Sequence, residues 1–239
     1  MRSKEKEYFN KVAGVFDSRF NVYSRRAGRL RVNRRLELFS RHCNFSSGLK
    51  VLEAGCGTGE YTKSLSEYRM KLFSSDISYN MLKNAVKKNI GRKGIFLVSD
   101  IERMPFFDNT FDAVIGNSVL HHVNARKAMA EVFRVLKKGG KFVFSEPNMV
   151  NPHIFLQKKI GFIRQLSGDS PLETAFLRWQ IKGVIEEAGF SFFQVEPFDF
   201  LHPYTPDMLT GITEKLGRLL ERLFFIREIA GSLLIRGVK

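Results

Sequence analysis

The chain has 239 residues, of which 44% are hydrophobic and 26% charged, and its formal net charge is +15 at pH 7. This size and apolar content suit one core, so we expect a single domain over residues 1–239. Two cysteines are too few for a disulfide framework or a cysteine-based metal cluster, and we expect no metal. No apolar run predicts a membrane span or a signal peptide, so we expect a cytoplasmic protein.

The N-terminal region, residues 1–46, is rich in arginine. Eight of its arginines crowd a predicted helix with a narrow apolar seam, and they are Arg19, Arg25, Arg26, Arg29, Arg31, Arg34, Arg35 and Arg41. The helix is either the solvated face of a basic protein or a binding surface for a polyanion, since guanidinium groups grip phosphate well. Both alternatives stay open from the sequence.

A short apolar strand runs into Gly55, Gly57 and Gly59, with Cys56 inside the turn. Glycines at alternate positions let the backbone bend sharply and approach a ligand where a Cβ would collide. Glu53 ends the strand and faces the crevice where ligands bind in open α/β sheets. A dinucleotide pattern would need a third glycine at position 60, which is Glu60. The turn therefore predicts a nucleotide-like ligand of another kind.

Strands alternate with helical segments along the rest of the chain, which predicts a parallel sheet with helices on both faces. The predicted strands are residues 50–54, 70–75, 94–99, 111–116, 140–146, 191–199 and 232–238. Asp76 and Asp100 end the second and third strands. A carboxylate at position 76 can accept hydrogen bonds from both hydroxyl groups of a ribose.

The glycine turn, Asp76, Asp100, and the segments 111–123 and 131–140 resemble the type-11 family of class I S-adenosylmethionine-dependent methyltransferases. That family includes the quinone-biosynthesis methyltransferases, and the resemblance covers residues 8–146. It implies a Rossmann-like α/β fold with a seven-stranded, mostly parallel sheet of order 3-2-1-4-5-7-6, the last strand antiparallel. It also implies an enzyme that uses S-adenosylmethionine, with S-adenosylhomocysteine as product, and a cofactor-binding core at residues 47–147.

The resemblance further implies roles for single residues. Glu53 would hold the methionine end of the cofactor and Asp76 the ribose. Asp100 and Ile101 would hold the adenine, and Asn117 would lie beneath the methionine moiety. The full set of expected cofactor-binding residues is Tyr8, Phe16, Glu53, Gly55, Cys56, Gly57, Gly59, Asp76, Ile77, Met81, Asp100, Ile101 and Asn117.

The segment that begins near Tyr8 resembles the family's N-terminal lid over the cofactor. The family commonly has Tyr-Asp where this chain has Phe16-Asp17. Because phenylalanine lacks the hydroxyl group, we expect no polar contact from position 16. Tyr8 and Phe16 could instead place an aromatic ring against the sulfonium.

Two insertions, residues 148–175 and 203–230, are amphipathic and basic. In the family such segments lie where the acceptor binds, so we interpret them as a cap over the acceptor pocket. Their Phe, Leu and Ile residues suit a small, lipid-like acceptor, and their basic residues suit phosphates or peripheral contact with an anionic membrane. We expect most of the apolar residues to dock on the domain itself, as in most amphipathic helices.

His121 and His122 follow the fourth strand, near the expected methyl position. Either could act as a catalytic base, since histidine titrates near neutral pH. The alternative is that His121 only lines the pocket while His122 packs or caps the helix that begins near Asn124. Glu146 is a second candidate for acceptor contact; weaker ones are His153, His202 and Tyr204.

The expected function is methyl transfer to a small, lipophilic acceptor. Amino-directed nucleic-acid methyltransferases resemble one another in carrying Pro-Pro-Tyr or Pro-Pro-Phe after the fourth strand, but here Ser118-Val119-Leu120 follows Asn117. Nucleic acid is therefore disfavoured, although an RNA methyltransferase that uses the basic N-terminal helix remains the main alternative. A cofactor-binding module without turnover is a second alternative.

Overall fold

The computed structural model of the chain describes residues 2–16, 23–89, 94–161, 170 and 173–239. In these ranges the strands are β1 Lys50–Ala54, β2 Lys71–Asp76, β3 Ile95–Val98, β4 Phe111–Asn117, β5 Leu136–Pro147, β6 Phe192–Phe198 and β7 Ser232–Val238. The α-helices are α1 Arg2–Val12, α2 Arg26–Cys43, α3 Glu60–Leu65, α4 Tyr79–Lys88, α5 Ala125–Val135, α6 Pro152–Lys159, α7 Arg178–Glu187 and α8 Thr210–Leu220. No helix within the described ranges has the length and apolarity needed to cross a bilayer.

The strands form one sheet of order β3-β2-β1-β4-β5-β7-β6. β7 runs antiparallel to β5 and β6, and the other neighbouring pairs are parallel. The expected α/β fold, strand number and strand order are confirmed. β5 begins at Leu136 rather than at residue 140, because Leu136 pairs with Phe111 before the register shifts and Gly139 turns with a φ of +75°.

Alternate residues of the central strands pack into two cores. Leu52, Val114 and Phe142 lie in the core that α5 and α7 cover. Val51 and Val143 lie in the opposite core, which α2 and α3 cover. Because both faces of the sheet are buried, the middle of β1, Val51 and Leu52, and the middle of β4, residues 113–115, are apolar on both faces, as is usual for parallel strands between two helical layers.

Helices α6 and α8, which lie in the two cap insertions, bury fewer apolar side chains than the sequence predicts. α6 buries no residue, and α8 buries only Thr210 and Gly217. The prediction that the apolar faces of the insertions dock mainly on the domain is therefore wrong for these two helices. Periodicity marks an apolar stripe on a helix but does not determine which side the rest of the protein covers.

Candidate active site

The carboxyl ends of β1, β2, β4 and β5 border a cavity of about 1170 Å³. Its walls include the glycine turn and residues of α1, α2 and the cap. Single-ligand pockets are usually about 300–1,000 Å³, so the cavity has room for a cofactor and a second small molecule. Its position at the strand ends is the usual one for ligands in open α/β sheets.

Gly55, Gly57 and Gly59 have φ angles of +70°, +54° and +82°, which L-residues with a side chain rarely adopt. A Cβ at Gly55 would lie 2.6 Å from Val119 Cγ2, and one at Gly59 would lie 2.9 Å from Ala85 Cβ. A Cβ at Gly57 would meet nothing within 4 Å. The close approaches at Gly55 and Gly59 are thus to the protein's own side chains, while Gly57 opens to the cavity.

The carboxylate of Asp76 joins the end of β2 to the glycine turn. It accepts hydrogen bonds from the backbone N–H groups of Gly57 and Ser78, each at 2.8 Å. Burial raises the pKa of Asp76, and the backbone donors partly offset that rise. The backbone therefore orients this carboxylate at the cavity wall.

Glu53 is buried at the end of β1 and also lines the cavity. Its Oε2 accepts hydrogen bonds from Thr62 Oγ1 at 2.5 Å and Ser74 Oγ at 2.7 Å. Burial raises the pKa of Glu53 to about 7 despite these two donors. Its charge at neutral pH is consequently sensitive to a cation bound nearby.

Asp100, which follows β3, and the apolar residues around it also line the cavity. Asp100 Oδ1 accepts a hydrogen bond from Glu102 N at 2.8 Å. Ile77, Met81 and Ile101 line the same wall, and Met81 and Ile101 are buried. An acid beside aliphatic side chains matches the chemistry expected for holding an adenine ring.

The N-terminal segment covers this wall. Met81 packs in a cluster whose partly buried members include Tyr8 and Phe16, and both aromatic residues line the cavity. Asn10 Oδ1 accepts a hydrogen bond from Ser78 Oγ at 2.8 Å, which fixes α1 to the start of α4. Asp17 and Arg19 lie outside the described residues.

Asn117 and Ser99 line the cavity, and each has a buried side-chain oxygen, Oδ1 and Oγ respectively, with no hydrogen-bond partner among the described residues. Buried polar atoms are nearly always hydrogen-bonded, so such orphans suggest contact with a bound molecule. Their positions at the ends of β4 and β3 are those expected for the methionine and nucleoside parts of the cofactor.

His121 is held between two carboxylates. Its Nδ1 lies 2.6 Å from Glu146 Oε2, and its Nε2 lies 3.5 Å from Glu173 Oε1. Burial opposes a charge on the ring, but Glu146 and Glu173 together raise the pKa of His121 to about 9. Glu146 is itself fixed, since its Oε1 accepts hydrogen bonds from the backbone N–H groups of Val119 and Leu120.

His122 has a different environment from its neighbour. Its Nδ1 lies 3.2 Å from Ser170 Oγ and 3.3 Å from Glu5 Oε2, and Phe9 meets the ring edge-to-face. Burial lowers the pKa of His122, and the nearby His121 lowers it further. The ring does not cap the next helix, because the Asn124 side chain accepts the Lys127 N–H there. At neutral pH His122 is therefore neutral.

His121, His122 and Glu173 place three potential metal-ligand atoms within 4.8 Å of one another, whereas the sequence predicts no metal site. Lys158 Nζ lies 2.5 Å from Glu173 Oε1. A metal ion at that oxygen would have to displace the ammonium group. The geometry therefore fits an ion-paired cluster better than a metal centre.

The arginines of the N-terminal region are mostly engaged within the protein. Arg31 and Arg35 both pair with the buried Asp199, at 2.8 Å each. The other described ones, Arg25, Arg26, Arg29, Arg34 and Arg41, contact the Tyr204 ring, Asp207 O, Ser24 O, Glu221 and Glu37 respectively. With these partners the helix offers few uncommitted guanidinium groups to a polyanion.

The cap side of the cavity carries further polar residues. His153 and His202 line it with ring centroids 4.9 Å apart, and Arg31 and Asp199 lie beside them. Tyr204 is not among the residues that line the cavity, and its ring lies 5.7 Å from that of His202 at a tilt of 39°. Burial lowers the pKa of His202, as do the charges of His153 and Arg31.

Three acidic residues of this region were not predicted from the sequence. Glu5, Glu173 and Asp199 lie far from the motifs along the chain, and each contacts a histidine or arginine at the cavity. No local spacing marks them, because only the tertiary fold brings them to the site. In the sequence, only conservation of these three residues among relatives would mark them as part of a site.

Comparison with known proteins relates the chain to methyltransferases. A family model described as a methyltransferase domain matches residues 52–144. The demethylmenaquinone methyltransferase of Thermobifida fusca is 32% identical over 196 residues, which cover 74% of this chain and 81% of that protein. The malonyl-[acyl-carrier protein] O-methyltransferase of Buchnera aphidicola is 34% identical over 60% of this chain. This chain spans only about half of the latter protein's length, 54%.

Solved structures show the same fold. A putative methyltransferase in complex with the Haloferax volcanii Trm112 activator superposes with a TM-score of 0.67, and 96% of each chain is covered. Its sequence identity to this chain is 20%, so the likeness concerns the fold alone.

Proposed function

Because the chain belongs to the class I S-adenosylmethionine-dependent methyltransferases, we propose that it transfers a methyl group from this cofactor to a small acceptor bound beneath the cap. The observation that carries the proposal is one cavity that joins the glycine turn and Asp76 to the two histidines and the cap. S-adenosylmethionine supplies an already activated methyl group. The residues of the chain then need mainly to align the acceptor and exclude water.

The cofactor half of the cavity fits this molecule. Gly57 leaves open space at the turn, Asp76 presents an oriented carboxylate, and Asn117 Oδ1 lacks a partner among the described residues. We assign the ribose to Asp76, the methionine end to Glu53 and Asn117, and the adenine to Asp100 and Ile101. A positively charged methionine ammonium near Glu53 would favour the ionised form of that carboxyl.

The acceptor is proposed to be a small molecule with a lipophilic body. Val32, Phe39, Ile154 and Leu201 supply apolar wall on the α2 and cap side of the cavity. The name of the Thermobifida relative, demethylmenaquinone methyltransferase, supports the same class. Polar residues near His202 would meet a polar group on such a molecule.

His122 is the proposed base. An oxygen or acidic carbon acceptor becomes a better nucleophile when it loses its proton, and a neutral imidazole can take that proton. His121 is unsuited to this step, since an imidazole with a pKa of about 9 is already protonated at neutral pH. Its charge instead pairs with Glu146 and Glu173.

The proposal is tested by incubating the purified protein with methyl-labelled S-adenosylmethionine and a cell extract, then separating lipid, small-molecule, RNA and protein fractions. Label in the lipid or small-molecule fraction is expected. The Asp76→Ala variant is the control and should label far less. Label mainly in RNA or protein would overturn the proposed acceptor class, and binding of the cofactor without any transfer would overturn the proposed reaction.

A further inference from the structure

Helix α8 buries small residues and exposes its aliphatic ones, which is the reverse of an ordinary surface helix. Its buried residues are the small Thr210 and Gly217, and a Cβ at Gly217 would lie 3.1 Å from Phe200 Cβ. Ile212, Leu216 and Leu219 are 69%, 52% and 54% exposed. Their spacing of four and three residues places them on one stripe of the helix. The aliphatic stripe therefore faces outward.

The exposed apolar surface continues beyond the helix. Leu223, Phe224 and Phe225 are also exposed, and the two phenylalanine rings are in edge-to-face contact with centroids 5.3 Å apart. Phe225 is 85% exposed. We call the six residues Ile212, Leu216, Leu219, Leu223, Phe224 and Phe225 the outer cap face. Single exposed apolar residues are common, but a contiguous apolar surface on a soluble domain usually marks an interaction site.

Residues 210–229, which include the outer cap face, contain four basic and three acidic side chains. Each glutamate of the segment is already paired, Glu214 with Arg218, Glu221 with Arg34 and Glu228 with Arg178. Lys215 and Arg222 are exposed, and neither has an ion-pair partner among the described residues. Lys215 lies within α8 and Arg222 lies two residues beyond its end, so both are neighbours in sequence of the apolar residues of the outer cap face.

We propose that the outer cap face binds the surface of an anionic lipid bilayer. An apolar stripe with exposed aromatic residues and flanking Lys and Arg is the pattern of helices that lie in the membrane interface. The positive charges near the stripe match the negative potential of acidic lipids. They disfavour a second copy of the chain as occupant, because a two-fold contact would bring the same basic residues together.

The proposed membrane face lies directly behind the cavity wall. Gly217 packs against Phe200, which lines the cavity, and Asn151 Nδ2 donates a hydrogen bond to Ile229 O at 2.7 Å, which links α6 to the end of the segment. Membrane contact at the outer cap face would thus hold the cap against the lipid surface. The membrane proposal itself does not depend on which acceptor is methylated.

The test is co-sedimentation of the full chain with two kinds of vesicle, one of phosphatidylcholine alone and one of phosphatidylcholine mixed with phosphatidylglycerol. We expect binding to the mixed vesicles, release by salt, and little binding to pure phosphatidylcholine. The Phe224→Ser/Phe225→Ser and Lys215→Glu/Arg222→Glu variants should each bind the mixed vesicles roughly tenfold or more weakly. Circular dichroism and S-adenosylhomocysteine binding report whether each variant keeps its fold.

Phe107→Ser is the matched control, because Phe107 is 91% exposed but precedes β4, at the opposite end of the sheet. It should bind vesicles like the unmodified chain. Equal binding by all variants, or no binding to mixed vesicles, would overturn the proposal. A dimer that Leu216→Ser dissociates, without vesicle binding, would show that the face instead joins two copies.

Discussion

The two halves of the cavity are built in different ways. On the proposed cofactor side, backbone geometry positions the site: Gly57 turns with a positive φ, and its N–H and that of Ser78 orient Asp76. On the acceptor side, buried ion pairs join distant segments, such as Asp199 with Arg35 and Glu146 with His121. The first half is therefore local in sequence, and the second exists only when the whole chain is folded.

This difference has an energetic consequence. A backbone hydrogen bond to a carboxylate is replaced by water if the side chain is lost at a partly open site. A buried arginine that loses its carboxylate keeps an uncompensated charge away from water. We therefore expect substitutions on the cofactor side to affect mainly ligand affinity, and those in the buried pairs to affect stability as well.

The largest effect is expected on turnover from His122→Gln. If His122 removes the acceptor proton, the substitution should lower kcat about 10²- to 10⁴-fold with little change in cofactor affinity. Because the pKa of His122 is lowered, the unmodified enzyme should keep its activity at neutral pH and lose it as the pH falls below the ordinary histidine range. Steady-state assays of the labelled acceptor fraction across pH measure both effects.

His202→Gln supplies the control for that assay, since His202 also lines the cavity. It should change the rate far less. Equal losses in the two variants would mean that the imidazoles only shape the pocket.

The second-largest effect is expected on the free energy of unfolding when Asp199, on the proposed acceptor side, is replaced. Burial opposes ionisation of Asp199, but Arg31 and Arg35 hold the pKa of that carboxyl well below its usual range. Asp199→Ala should lower the free energy of unfolding by about 3–5 kcal/mol, because both guanidinium groups lose their buried counter-ion. Urea denaturation followed by circular dichroism measures the change.

Glu196→Gln tests whether burial is the cause. Glu196 pairs with Arg236 at 2.8 Å, but both side chains are substantially exposed. Its loss should cost less than about 1 kcal/mol. A similar cost for the two variants would contradict the contrast between the halves.

A smaller effect is expected in the pH dependence of stability. The folded-state pKa of His121 is about 9, above the value of about 6.5 in an unfolded chain. Its stabilising contribution is thus fully present below about pH 6.5 and is lost as the pH rises through about 9. Denaturation midpoints should fall across this window for the unmodified chain and fall less for His121→Gln.

His42 provides a comparison for the pH experiment. Burial lowers the pKa of His42, so it does not titrate in the same window. His42→Gln should therefore keep the alkaline loss of stability. If His121→Gln also keeps it, His121 is not the group responsible.

The fold, and the convergence of the proposed cofactor-binding motifs on one cavity, could be predicted largely from the sequence. The glycine turn, Asp76 and Asp100 are short-range motifs at strand ends, and the structure places all of them at one cavity. Their assignment to single parts of the cofactor stays a prediction. The sequence does not predict that β5 begins at Leu136, because Lys137, Lys138 and the two glycines that follow show no apolar alternation.

The acceptor side could not be predicted in the same way. Glu5 and Glu173 reach His122 and His121 only through tertiary packing. The stripe on α8 was visible as a period, but the contact of Gly217 with Phe200 decides that the stripe faces outward. Sequence periodicity shows which residues share one face of a helix, but it does not show which face the rest of the protein covers.

Calorimetric titration with S-adenosylmethionine tests most directly the claim that the two halves have separate roles. The unmodified chain should bind one cofactor molecule, Asp76→Ala should bind at least about tenfold more weakly, and His122→Gln should bind with unchanged affinity. Unchanged affinity in Asp76→Ala, or an equal loss in His122→Gln, would contradict the division between a cofactor half and an acceptor half.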